Sequence, residues 1–119
     1  MCLMDKLKEF GYFHDWYINA LVVRDKHKLI VMLEDEGKRA TATFSGTSRC
    51  TVEHFSVSNN IVFEMKILTP GDTNYDLARA MLSKSERFSK TPGSQVALVL
   101  ATAGAELAVE FETLDIDAE

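Results

Sequence analysis

The run Trp16-Tyr17-Ile18-Asn19-Ala20-Leu21-Val22-Val23, the polar turn Arg24-Asp25-Lys26-His27, and the run Leu29-Ile30-Val31-Met32-Leu33 decide the fold class of this chain. Successive side chains of a β-strand point to opposite faces, so apolar residues that recur every second position mark a strand with one buried face. In the first run Trp16, Ile18, Ala20 and Val22 are expected on one face, and Tyr17, Asn19, Leu21 and Val23 on the other. In the second, Leu29, Val31 and Leu33 face away from Ile30 and Met32. A connection this short joins antiparallel strands. Asp35-Glu36-Gly37 closes a second hairpin, with Gly37 free to take the positive φ that such turns need.

The same period continues outward. Ala40, Ala42 and Phe44 alternate with Arg39, Thr41 and Thr43, and residues 50–55 form a short strand expected at a sheet edge. Ile61, Phe63, Met65 and Ile67 make a strongly alternating strand. Residues 96–101 are almost wholly apolar, which predicts a central strand buried on both faces. Leu107, Val109 and Phe111 alternate with Ala108, Glu110 and Glu112 in the last strand. Two segments break the pattern. Leu3, Met4, Leu7 and Phe10 fit a short helix over residues 2–10, stopped by Gly11. Residues 72–88 fit a helix capped by Asp72 or Thr73, with Leu77, Ala78, Met81, Leu82 and Phe88 on its apolar side. The expected fold is therefore α+β, mainly an antiparallel sheet of about seven strands. A short N-terminal helix precedes it, and one helix lies between the fifth and sixth strands. No βαβ alternation appears, which argues against a parallel sheet.

The chain has 119 residues, the size of a single domain spanning 1–119, and 46% apolar content is enough for a core without staples. No apolar run approaches the length of a membrane span, and the N-terminus lacks a basic head and apolar segment, so no secretory signal is expected. Cys2 and Cys50 make no disulfide framework and read as reduced thiols, which fits a cytoplasmic protein. The net charge of −5 is unevenly placed. All 13 basic side chains lie in residues 1–104, whereas residues 105–119 hold six acids and no base. Such a tail repels nucleic acid and anionic membrane and attracts basic partners.

Candidate chemistry is sparse. His14 beside Asp15 could be an oriented base, but adjacent residues of a strand point to opposite faces, which predicts that the two side chains do not meet. Cys50 and His54 would lie about 13 Å apart in a strand, too far for a thiolate–imidazole pair or a shared metal. His14, His27 and His54 follow no metal-ligand spacing, and no cofactor motif is present, so neither metal nor cofactor is expected. Lys84, Arg87 and Lys90 around Phe88 read as a solvated helix end rather than a nucleic-acid patch.

The acidic stripe is the most specific feature. Glu106, Glu110 and Glu112 fall on the face opposite Leu107, Val109 and Phe111, with Asp115, Asp117 and Glu119 beyond the strand. Like charges on one face repel, so the row is either a solvated outer face or a docking surface for a basic protein. On the docking reading, reversing Glu110 and Glu112 to lysine is expected to weaken partner binding and leave the fold intact.

Phe13-His14-Asp15-Trp16-Tyr17-Ile18, a hairpin, Phe44-Ser45-Gly46, Phe55-Ser56 and Asn59-Asn60-Ile61 together resemble the layout of small bacterial immunity proteins of polymorphic or contact-dependent growth inhibition systems. The similarity covers residues 10–68. It implies a non-enzymatic inhibitor that binds a cognate toxin domain, many of which are nucleases. Inhibitors of basic nucleases mimic phosphates with carboxylates, and Glu106, Glu110, Glu112, Asp115 and Asp117 are the partner-binding candidates. Two other readings stand beside it. One is a homodimeric assembly module using residues 96–101 as a dimer strand. The other is a small hydrolase using Cys50 or His14.

Overall fold

A computed structural model describes residues 3–87 and 91–118. Cys2, Phe88, Lys90 and Glu119, named above, lie outside the described residues. Helix α1 (Leu3–Glu9) leads through a 3-10 turn (Gly11–Phe13) into strands β1 (Tyr17–Arg24), β2 (Lys28–Asp35), β3 (Lys38–Ser45), β4 (Arg49–Glu53) and β5 (Ile61–Leu68). Helix α2 (Tyr75–Leu82) follows, then β6 (Gln95–Ala103), β7 (Glu106–Phe111) and β8 (Thr113–Ala118). The fold is α+β, with every strand pair antiparallel in one eight-stranded sheet ordered β4-β7-β6-β5-β1-β2-β3-β8.

The sheet divides at a slender junction. β1 meets β5 at Tyr17 opposite Ile61, supported by Ile18 N–H donating to the Asn60 carbonyl at 2.8 Å and Val62 N–H to the Trp16 carbonyl at 2.9 Å. On one side lie β1-β2-β3-β8, on the other β5-β6-β7-β4. The chain ties the two halves together a second time. β3 runs on into β4 and β7 into β8, so residues 38–53 and 106–118 form one antiparallel ribbon, from Ala40 opposite Ala118 to Glu53 opposite Glu106. At its bend the Glu112 N–H donates to the Ser45 carbonyl and the Ser48 N–H to the Glu110 carbonyl.

The inner faces of both halves share one core. Leu29, Val31, Leu33, Ala42, Phe44 and Ile116 meet Val62, Met65, Val99, Leu107, Val109 and Phe111. Phe44 and Phe111 pack edge to face at 4.9 Å beside the ribbon's bend. Leu7 and Phe13 are buried at the N-terminal end, where Phe10, Phe13 and Trp16 stack together. A second, smaller core forms on the outer face of the other half, where Ala78, Met81 and Leu82 of α2 cover Leu68, Val96, Leu98 and Ala108. This explains why residues 96–99 are buried on both faces: β6 is interior, bonded to β5 and β7, and has no free edge to offer a second copy.

Four sequence expectations change. A register shift between Ile18 and Ala20 switches the faces of β1, so Ile18 and Leu21 point inward while Ala20 and Val22 point out. The segment after Phe111 is an eighth strand rather than a tail. α2 is shorter than residues 72–88. Asp72 does not cap it, because its carboxylate accepts from the Thr69 N–H at 2.6 Å and so closes the preceding turn.

Phe111→Ala is expected to cost about 3–5 kcal/mol, because it empties the contact between the halves. Val57→Ala, at a fully exposed position, should stay within about 0.5 kcal/mol of the parent. Urea unfolding of both variants measures the contrast.

Candidate functional site

β7 alternates as its sequence predicts, with Leu107, Val109 and Phe111 inward and Glu106, Ala108 and Glu110 outward. Outward here does not mean wet. α2 and the segment after it lie over that face, and Glu110 is only 1% exposed. Its carboxylate accepts a hydrogen bond from the Ser48 hydroxyl at 2.5 Å and from Arg87 Nε at 2.9 Å and Nη2 at 3.2 Å. Arg49 Nε at 3.3 Å and Arg79 Nη1 at 3.4 Å complete the ring. Burial pushes this carboxyl up. The hydrogen bonds from Arg87 and Ser48 and the charges of Arg49 and Arg87 push it down further, to about 2. Glu110 is therefore an internal ion centre, and it is removed from the partner-binding candidates. Its reversal to lysine would place a fourth cation among three guanidiniums, so the expectation that such a variant keeps its fold is withdrawn.

The other acids separate into three situations. Glu112 is exposed but committed, accepting from the Ser94 N–H at 3.0 Å and the Ser94 hydroxyl at 3.3 Å. Glu106 is half-buried and stands opposite Glu53, whose carboxyl is held below its ordinary value by a 2.8 Å bond from Lys84 Nζ. Asp115 and Asp117 stand exposed on β8, and neither makes an ion pair among the described residues. The acids thus do not form one continuous row. The bend of the ribbon divides them, and only the β8 pair faces solvent unengaged. The basic helix end is engaged as well, Lys84 with Glu53 and Arg87 with Glu110.

β8 also reveals a face that sequence reasoning did not assemble. Register places Asp115 beside Thr43, Ile30 and Val22 across β3, β2 and β1, and Asp117 beside Thr41, Met32 and Ala20. No helix covers this outer face among the described residues. A shallow cavity of about 400 Å³ opens on it, lined by Asn19, Ala20, Met32, Glu34, Thr41 and Asp117. The alternation of Leu114 and Ile116 with Thr113, Asp115 and Asp117 was the available signal for β8. The low strand propensity of aspartate masked it.

The remaining candidates do not converge. Burial raises the Cys50 thiol to about 11, so it stays protonated at neutral pH and is a poor nucleophile. His54 lies beyond the end of β4 with φ 60°, and its ring faces Glu53 at 3.9 Å. His14 and Asp15 do meet, Nε2 to Oδ2 at 3.5 Å, contrary to the strand-based expectation. They precede β1, and Asp15 takes φ 67°, so strand alternation does not apply to them. The Nδ1 of His14 bonds the Phe63 carbonyl at 2.8 Å, which leaves neither ring nitrogen facing open solvent as a free base. No group of three or more metal-ligating side chains converges among the described residues. No helix among them is long and apolar enough to cross a membrane.

No protein-family model matches the chain, and no curated protein is significantly similar to it.

Glu110→Gln keeps the side-chain shape but strips three guanidiniums of their counter-charge, and is expected to cost about 2–4 kcal/mol at neutral pH. A carboxyl depressed from 4.5 to about 2 on folding contributes stability above its unfolded value and loses it as pH falls through the folded one. The gap between parent and variant should therefore hold down to about pH 5 and close toward pH 2. Urea unfolding across that range checks it, and a gap independent of pH would remove the ion centre from the account.

Proposed function

We propose that this protein is a non-enzymatic inhibitor of the immunity type, which binds a cognate basic toxin domain in the bacterial cytoplasm. The contact surface is the outer face of β1-β2-β3-β8 with its acidic margin at Asp115 and Asp117. One observation carries this reading. The two halves of the sheet are alike in strand number, yet α2 covers the outer face of one and leaves the other bare.

The bare face has the makeup of a protein interface. Its centre holds Ala20, Val22, Ile30 and Met32, and Thr41 and Thr43 separate that strip from the carboxylates. Glu34 and Arg39 pair with each other at 3.4 Å, so they add no net charge. Arg24 and Lys28 sit at the hairpin end, away from the Asp117 row. The acidic character is thus confined to β8, and it would steer a basic partner onto that side of the face. A nuclease, whose own substrate is a polyanion, has the complementary charge. The protonated Cys50 thiol and the engaged His14 ring favour binding over catalysis as the work of this chain.

The toxin domain encoded beside this protein's gene is the partner to titrate. Calorimetry should give a complex at micromolar concentration or tighter. Asp115→Lys with Asp117→Lys should weaken it at least about tenfold and flatten its dependence on salt, with thermal stability unchanged. An affinity that ignores both substitutions would place the interface elsewhere, and no complex at all would remove the immunity reading.

A further inference from the structure

We infer that the free edge of β8 accepts an extended, basic segment of the partner as a ninth strand, with lysine or arginine at alternate positions against Asp115 and Asp117. This deepens the proposed function and rests on it for the identity of the partner, though not for the geometry of the edge.

The feature is the backbone. β8 is a terminal strand of the sheet and pairs only with β3, from Thr113 opposite Ser45 to Ala118 opposite Ala40. In an antiparallel ladder half of a strand's N–H and C=O groups point away from its neighbour. Those of β8 that point away from β3 meet no backbone partner among the described residues. The other terminal strand, β4, differs. α2 packs on its outer side, where the Thr51 hydroxyl donates to the Met81 carbonyl at 2.8 Å, and it ends at the left-handed His54. Of the two edges, β8 is the longer and the less encumbered.

Charge selects the occupant. Asp115 and Asp117 lie on one face of β8, about 7 Å apart at strand rise. A second copy of β8 would bring carboxylates against carboxylates, which excludes self-pairing. An added strand with cations two residues apart would set each beside one aspartate at cross-strand distance. Leu114 and Ile116 point inward, so the residues between those cations would meet the apolar rim of the core. The fitting pattern is basic–apolar–basic in an extended segment, a mode in which main-chain bonds give affinity and alternate side chains give selectivity.

The probe is a hexapeptide alternating lysine with valine, added at millimolar concentration to the isotopically labelled full chain. Amide exchange of each residue is followed by NMR. A composition-matched isomer with its lysines contiguous is the control. The alternating peptide should slow exchange in residues 113–118 at least about fivefold, and the isomer should not. Asp115→Asn with Asp117→Asn should weaken the protection by a similar factor. No slowing in β8 overturns the inference, whether the peptide fails to bind or binds elsewhere, and equal protection by the isomer overturns the alternating pattern. If the peptide shifts Met32 and Thr41 while β8 exchanges as before, edge pairing fails and the acidic-face reading survives. Failure of that reading is seen separately, in the toxin titration.

Discussion

The bend of one antiparallel ribbon is the constraint on which the structure depends. Residues 38–53 and 106–118 run side by side, and both must turn at the same place for the two halves of the sheet to face each other. Gly46 takes φ 64° there, and an added Cβ would lie 2.8 Å from Cγ of Glu112. Gly93 passes so close to Phe111 that a Cβ would come within 2.5 Å of its backbone. The bend is fixed from outside by the Glu110 carboxylate, which is bonded to Ser48 on the connection from β3 to β4, to Arg49 of β4, to Arg79 of α2 and to Arg87. From inside it is fixed by the edge-to-face contact of Phe44 and Phe111. Four segments distant in sequence meet on one side chain and its neighbour.

A buried carboxylate is an unusual way to hold a fold, because desolvation opposes it. The cost is offset here by charge-assisted bonds from several directions, which also specify geometry in a way that an apolar contact would not. A leucine at position 110 could hold α2 against β7, but it could not fix where Arg87 and the Ser48 connection lie. The three guanidiniums also explain why α2 covers this half of the sheet and not the other. The helix buries only Ala78, Met81 and Leu82, a small apolar contribution, and the ion centre supplies its orientation.

How much of this was legible depends on whether the deciding interaction is local. Alternation in residues 16–33 and 61–67, the Glu36-Gly37 turn, and the doubly apolar run at 96–101 are local, and they yielded the α+β antiparallel fold and the interior place of β6. The face of Glu110 was legible too, since parity alone puts it opposite Leu107, Val109 and Phe111. Its burial was not, because that depends on α2 docking from 28 or more residues earlier in the chain, which no period reveals. The inverted face of β1 follows from a single register shift near Asn19, and the meeting of His14 with Asp15 from a left-handed φ at a non-glycine residue. Both are backbone departures that the side-chain sequence leaves unmarked.

The same ion centre separates two uses of negative charge that look continuous in sequence. Before the bend, Glu106 and Glu110 belong to a covered face, and the acid at 110 is consumed in holding the helix. After the bend, Asp115 and Asp117 belong to the other half of the sheet, where no helix follows to claim them. An eighth strand carrying aspartates is costly in propensity and in edge exposure, yet its inward Leu114 and Ile116 are needed to finish the core opposite Ala42 and Phe44. The inward residues therefore account for the strand's existence, while leaving its outward residues free to vary. Carboxylates at free positions on an edge discourage self-association, and they also set the charge of whatever can approach that edge. Stability of the domain and choice of partner are thus divided between the two faces of a single six-residue strand.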